Sequence, residues 1–318
     1  MSQEAGHAAV RASALPATLA SLLRPAAYPH PVQRVELVET HMSWVFLTGE
    51  RAYKIKRPVL YPFADFRELA RREALCREEV RLNQRFAADI YLGVEKITLR
   101  NGHAILGGEG EAIEYAVCMR QFDRSQELDR LVAAGRVDAA VLREFGCELS
   151  RMHERLPVDA ATAAGKIAAA TGEALQRNMR ECRSMANAAG AAVDSLCDQI
   201  GGELDRRFVD SIGALSSRAL ARRVRECHGD LHLSNIVRIG ERLVPFDCLE
   251  FDPAFRWIDV ADEVAFLYAD LRGYGRDDLA HALVDGYVEA GGDFHLWRVL
   301  DLFTAHRAIV RAKVMALR

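Results

Sequence analysis

A chain of 318 residues, half of them apolar and about a quarter charged, can bury a sizeable core without help from disulfides or metals. Its formal charge of −3 gives no general pull toward nucleic acid or an anionic membrane, so neither is expected as a partner. The seven cysteines are odd in number, scattered and never spaced C-x-x-C, which argues against a disulfide framework or a zinc site and for reduced thiols in a cytoplasmic protein.

In chain order, an uncharged run from Ala12 to Leu23 is interrupted by Pro16 and is too short to span a bilayer. Residues 1–27 therefore read as a flexible or helical extension. Val32 to Ile55 alternates and turns as strands do, with Thr48-Gly49-Glu50-Arg51 as a hairpin connection that pairs Lys54 with Val45. That register puts Ala52 and Lys54 on one face of their strand, with Lys56 on the same face two residues on. Phe66 to Phe86 reads as a charged helix with Leu75, Leu82 and Phe86 on one stripe, followed by strands at Glu95–Arg100 and Tyr115–Phe122.

Beyond Phe122 the character changes to alanine- and leucine-rich helical segments, Gln126 to Val224 and Ile258 to the end, with a strand-rich island from Cys227 to Phe251 between them. The reading is an N-terminal lobe over 28–122 and a C-terminal lobe over 123–318, with a hinge and a cleft near the boundary. The helical run from Ala305 to Leu317 leaves room for a longer natural protein.

The island is the most informative segment: His228-Gly229-Asp230-Leu231-His232-Leu233-Ser234-Asn235, then two short strands, then Val244-Pro245-Phe246-Asp247. The turn Gly240-Glu241 folds the strands back on each other and puts Asn235 opposite Phe246, so an amide oxygen and the Asp247 carboxylate lie side by side. These are hard oxygen ligands of the kind Mg2+ takes beside phosphates. Asp230, on the same loop, is placed to orient a hydroxyl and accept its proton during phosphoryl transfer.

The run H-G-D-x-x-x-x-N with a following Asp resembles the aminoglycoside phosphotransferase family of the protein kinase-like superfamily, and the likeness extends from about Tyr28 onward. The strings 224–233 and 246–252 look closer to an uncharacterised bacterial branch in which such a domain often precedes a P-loop ATP-binding domain. The resemblance implies an α+β, two-lobed kinase-like fold, with a small antiparallel-sheet N-lobe and a larger helical C-lobe. It implies Asp230 as catalytic base, Asn235 and Asp247 as magnesium ligands, and His228 as a support beneath the loop, with His232 unassigned. It further implies Val45 and Ala52 over the adenine, Lys54 on the phosphates, and Glu79 as its helix partner, with Glu78 on a flank that also suits the role. Lys56 and Glu78 are expected as exposed charges. The strand end from Met119 to Phe122 would bind the base through its backbone, with Phe122 nearby.

The turn Glu39-Thr40-His41-Met42-Ser43 lacks the glycines of a protein-kinase phosphate loop, which leaves the Thr40 or Ser43 hydroxyls and turn amides as phosphate contacts. No Arg precedes Asp230, no D-F-G stands at Asp247, no A-P-E follows, and no G-x-x-x-x-G-K-[ST] occurs. The expectation is a Mg-ATP-dependent phosphotransferase, GTP left open, acting on a hydroxyl of an aminoglycoside, sugar or related small molecule. The acidic surplus between Asp247 and Asp278 would suit a cationic or polyhydroxyl acceptor, a solvated helix face being the other reading. The other functions weighed are protein phosphorylation, nucleotidyl transfer and a non-catalytic nucleotide-binding regulator. Asp259, in Arg256-Trp257-Ile258-Asp259, is expected to hold the backbone of the catalytic loop. His153 is expected to serve helix packing, and Cys227 and Cys248 to fill small buried spaces.

Overall fold

The computed structural model describes residues 15–61, 64–159, 164–186 and 191–316. The chain divides at Gln121/Phe122 into two compact units.

The first unit is built on a six-stranded antiparallel sheet. Its strands are β1 (Glu36–Glu39), β2 (Ser43–Leu47), β3 (Arg51–Lys56), β6 (Tyr91–Arg100), β7 (His103–Leu106) and β8 (Glu114–Arg120), in the order β1-β2-β3-β8-β6-β7. A small ladder, β4 (Leu60–Tyr61) with β5 (Ala64–Asp65), precedes helix α1 (Leu69–Ala87). The alternation expected of half-buried strands is present: Trp44, Phe46, Tyr53 and Ile55 fill one face, and Ala52, Lys54 and Lys56 point to the other, which α1 serves.

The N-terminal segment is not a free extension where it is described. Two 3-10 turns, Ala20–Leu23 and Pro25–Ala27, bring Leu19, Leu22, Ala27 and Tyr28 into the same apolar cluster as Trp44 and Phe46. The Tyr28 hydroxyl donates to the Leu22 carbonyl at 2.7 Å. The segment covers apolar sheet surface that water would otherwise meet. Residues 1–14 of the expected extension lie outside the described residues.

The second unit is largely helical: α2 (Leu128–Ala133), α3 (Ala139–Arg155), α4 (Ala164–Ala186), α5 (Ala191–Leu220), α6 (Val260–Gly273), α7 (Asp277–Gly291) and α8 (Trp297–Ala316). Small residues let α3 and α7 approach closely. A Cβ on Gly286 would meet the Arg143 carbonyl oxygen at 2.0 Å, and one on Gly146 the Leu283 carbonyl oxygen at 2.1 Å, so α3 and α7 pack backbone to backbone. Set among these helices are two short ladders: β9 (Val224–Glu226) with β12 (Trp257–Asp259), and β10 (Ile236–Ile239) with β11 (Arg242–Pro245). Among the described residues no helix is long and apolar enough to cross a membrane. All seven cysteines are free thiols, with Cys76, Cys118, Cys227 and Cys248 buried.

Candidate active site

In the first unit the β2–β3 register pairs Val45 with Lys54 and Leu47 with Ala52, and β3 continues to β8 with Ala52 beside Met119. Val45, Ala52, Met119 and Lys54 therefore share one sheet face. The Lys54 ammonium donates to Glu79 Oε1 at 2.9 Å from α1, whereas Glu78 lies outward and pairs with Arg81. Lys56 departs from expectation. It is 2 % exposed and donates to the other Glu79 oxygen at 2.5 Å, because the period of two that turns Lys54 inward turns Lys56 inward as well. Burial opposes ionisation of Glu79, but the two ammonium groups outweigh it and hold the carboxyl below its usual range. Lys54, 16 % exposed, is the member of the trio that reaches solvent.

The turn between β1 and β2 is closed by Thr40, whose Oγ1 accepts from the amides of Met42 and Ser43. Ser43 is buried at the start of β2, opposite Lys56. The Thr40 hydroxyl is thus engaged within the turn itself.

In the second unit, β9 delivers the chain into the loop that carries Asp230. Gly229 there has φ +87°, and a Cβ would meet the Phe255 carbonyl oxygen at 2.9 Å, so only glycine fits both the conformation and the space. His228 is fully buried; its Nε2 donates to the Phe246 carbonyl at 2.8 Å, while Nδ1 faces the Asp230 amide at 3.4 Å. Burial is the largest influence on this imidazole and lowers its pKa, consistent with a neutral ring that donates through one nitrogen and accepts through the other.

The β10–β11 register pairs Ile236 with Pro245, and the Phe246 amide donates to the Asn235 carbonyl at 2.9 Å, so Asn235 and Asp247 stand at the same end of one hairpin. Asn235 gives its amide nitrogen to the Asp230 carbonyl at 2.9 Å and to Asp230 Oδ2 at 3.3 Å, which leaves its side-chain oxygen as the atom available to a cation. Asp247 adopts φ +66°, a conformation costly for a non-glycine residue and enriched at ligand-binding positions. Phe122, in this unit, meets Phe246 edge-on with centroids 4.9 Å apart. The Asp230 side chain is 40 % exposed, with His232 Nε2 at 3.5 Å from Oδ2. Partial desolvation would raise its pKa, but His232, His228 and Arg307 together hold it well below the usual carboxylate range.

The loop is held by a residue other than Asp259. Glu263, on α6 and fully buried, accepts the His228 amide on Oε1 at 2.9 Å and the Gly229 amide on Oε2 at 2.7 Å. Asp270, two turns further along α6, accepts the Leu233 amide at 3.1 Å. Asp259 instead caps α6 through the Ala261 amide and pairs with buried Arg218, which also binds Asp293.

The acidic surplus after Asp247 is mostly spoken for. Asp252 caps a 3-10 turn, Asp262 pairs with Arg307, Asp270 with Arg311, Asp277 with Arg272 and Asp278 with Arg276. Asp262 and Asp270, with Asp259 and Glu263, serve the fold, whereas Asp277 and Asp278 form exposed ion pairs, as the solvated-face reading has it.

No protein-family model matches the chain. Curated relatives in Mycobacterium tuberculosis and Mycobacterium bovis, each described as an uncharacterized protein, are 32 % identical over 300 residues. The match takes in 91 % of this chain but 57 % of theirs, so the chain spans a little over half the length of those relatives. Among solved structures, a glucosamine kinase superposes with a TM-score of 0.52 at 15 % identity, covering 91 % of this chain and 72 % of that one. A choline kinase from Cryptosporidium parvum gives 0.54 at 11 % identity, over 89 % and 83 %. An aminoglycoside phosphotransferase from Alicyclobacillus acidocaldarius gives 0.50 at 16 %, over 96 % and 91 %. The chain has the protein kinase-like fold. At such identities the likeness carries the architecture, and the chemistry has to be argued from the side chains. A second structure of the glucosamine kinase holds glucosamine, ADP and inorganic phosphate.

Proposed function

We propose that this kinase-like chain is a phosphotransferase that moves the γ-phosphoryl group of ATP to a hydroxyl group of a small molecule. The observation that carries the reading is the loop holding Asp230 and Asn235, bonded through His228 to the strand end at Asp247. The solved neighbours named glucosamine kinase, aminoglycoside phosphotransferase and choline kinase support a small-molecule acceptor, and the one bound to ADP supports nucleotide use.

The roles follow from the chemistry. Lys54 neutralises phosphate oxygens while Glu79 fixes its ammonium. Asn235 and Asp247 offer hard oxygens that fit Mg2+, the cation that would neutralise charge on the transferring phosphates. Asp230 accepts a hydrogen bond from the acceptor hydroxyl and aims its oxygen; as a carboxylate of low basicity it takes the proton late, as suits a transition state with little nucleophile bonding. His228 and Glu263 keep that carboxylate in place. Protein phosphorylation is disfavoured by the missing D-F-G and A-P-E segments. The greater length of the mycobacterial relatives is consistent with a further domain beside this one, which we propose to be a P-loop ATP-binding domain.

The test is a panel of hydroxyl-bearing compounds, with glucosamine, choline and aminoglycosides among them, incubated with Mg-ATP and read for the mass of one added phosphoryl group. Asp230→Asn serves as control. Phosphorylation of an acceptor by the wild type alone supports the reading; transfer of a nucleotidyl group, or equal product from both proteins, overturns it.

A further inference from the structure

Glu263 is part of a longer buried chain. His153 Nε2 lies 3.1 Å from Glu263 Oε1, and His153 Nδ1 lies 2.8 Å from the Tyr287 hydroxyl. His153 and Tyr287 are each 2 % exposed, and Glu263 1 %. One assignment of hydrogens uses every donor once: Tyr287 O–H donates to Nδ1, Nε2–H and the His228 amide both donate to Glu263 Oε1, and the Gly229 amide donates to Oε2. Two electrostatic effects run the same way. Burial raises the Tyr287 pKa far above its ordinary value, keeping the hydroxyl protonated. The donors around Glu263, His153 first, overcome the effect of burial and keep the carboxyl ionised. Cys227 also stands within 4.8 Å of His153 and Glu263, but its thiol donates to the Ile258 carbonyl and the His153 and Glu263 atoms are committed to hydrogen bonds, so the group is a relay rather than a metal cage.

We propose that His153 and Tyr287 are positioning residues for the transfer reaction, fixing Glu263 so that it holds the Gly229 and His228 amides and hence the Asp230 carboxylate in its working geometry. The relay links α3, α6 and α7 to a loop that none of them contains. A buried carboxylate left with two donors instead of three has room to swing, and misplacement of a reacting group by about 1 Å costs about 100-fold in rate. The proposal rests on the phosphotransferase reading for its kinetic consequence but not for its structural one.

The experiment compares His153→Gln, whose amide nitrogen can replace Nε2–H toward Glu263, with His153→Asn, whose shorter amide mimics only the Nδ1 side. Amide hydrogen exchange of the ligand-free protein is followed at His228 and Gly229, and Mg-ATP turnover is followed with glucosamine as the acceptor probe. Expected are at least tenfold faster exchange at both amides in His153→Asn and less than threefold change in His153→Gln, with Val264 to Leu267 unchanged in both. Turnover should fall about 10- to 100-fold in kcat for His153→Asn, with KM for ATP within twofold. Equal protection of the loop amides in the two variants overturns the relay, whatever the turnover. Loss of protection with no wild-type turnover leaves the relay standing and counts against the phosphotransferase reading with that probe. Should His153→Asn fail to fold, Tyr287→Phe, which removes only the terminal donor, must still speed exchange at Gly229, or the relay is wrong.

Discussion

His228 donates a hydrogen bond to the Phe246 carbonyl at 2.8 Å, and this contact ties the loop that carries Asp230 to the strand end that carries Asp247. The Leu249 amide returns to the His228 carbonyl at 3.0 Å, so the two segments are bonded on both sides of Asp247. His228→Ala should therefore cost about 1–3 kcal/mol of stability by leaving a buried carbonyl unpartnered. It should lower phosphoryl transfer and Mg-dependent nucleotide binding together. Chemical denaturation and calorimetric titration with Mg-ADP check both effects.

Glu263→Gln retains shape but turns one accepting oxygen into a donor that opposes a loop amide or the His153 N–H. Turnover should fall by about 10- to 100-fold through displacement of Asp230, while binding of Mg-ADP changes little. Steady-state kinetics beside titration separates the two.

Glu79 gives the fold an acid-sensitive element. Its folded pKa lies below the ordinary 4.5, so the stabilisation from Lys54 and Lys56 is complete above that value and is lost as pH falls through the lower folded value. Glu79→Gln should flatten this acid limb, and it should cost about 3–5 kcal/mol near neutrality because two largely buried ammonium groups lose their shared carboxylate. Denaturant unfolding at neutral pH and at about pH 3 compares wild type and variant across the window.

Arg218 tests the distinction between support and chemistry. Its guanidinium binds Asp259 and Asp293, all three nearly inaccessible, and its pKa is raised because the two carboxylates outweigh the effect of burial. Arg218→Met should destabilise the protein by about 3–5 kcal/mol by stranding two buried carboxylates. Turnover per folded molecule should stay within a few-fold of wild type, as read by thermal unfolding and by activity corrected for folded fraction.

Hairpin registers were legible because a two-residue or four-residue turn fixes every pair beyond it; Val45 with Lys54 and Asn235 with Phe246 follow from glycine positions alone. Partners brought together by helix packing were not. Asp259 and Glu263 stand one helical turn apart, and nothing local tells the residue that caps α6 from the residue that faces the loop amides. The same holds for Asp262 with Arg307 and Asp270 with Arg311, whose partners lie on α8, and for His153, whose contacts come from α6 and α7. Lys56 was readable in direction but not in depth, since alternation assigns its face and only the sheet and α1 together decide its burial. The 3-10 turns near the N-terminus carry no periodic signal, and their place against Trp44 and Phe46 is a matter of tertiary packing.

The most direct test is equilibrium binding of ATP, with and without Mg2+, to Asp230→Asn and Asp247→Ala. Asp230→Asn should bind Mg-ATP as wild type does yet transfer phosphate about 10²–10⁴-fold more slowly, whereas Asp247→Ala should lose the Mg-dependent part of binding itself. Equal loss of nucleotide affinity in both variants would contradict the division of labour between the two carboxylates.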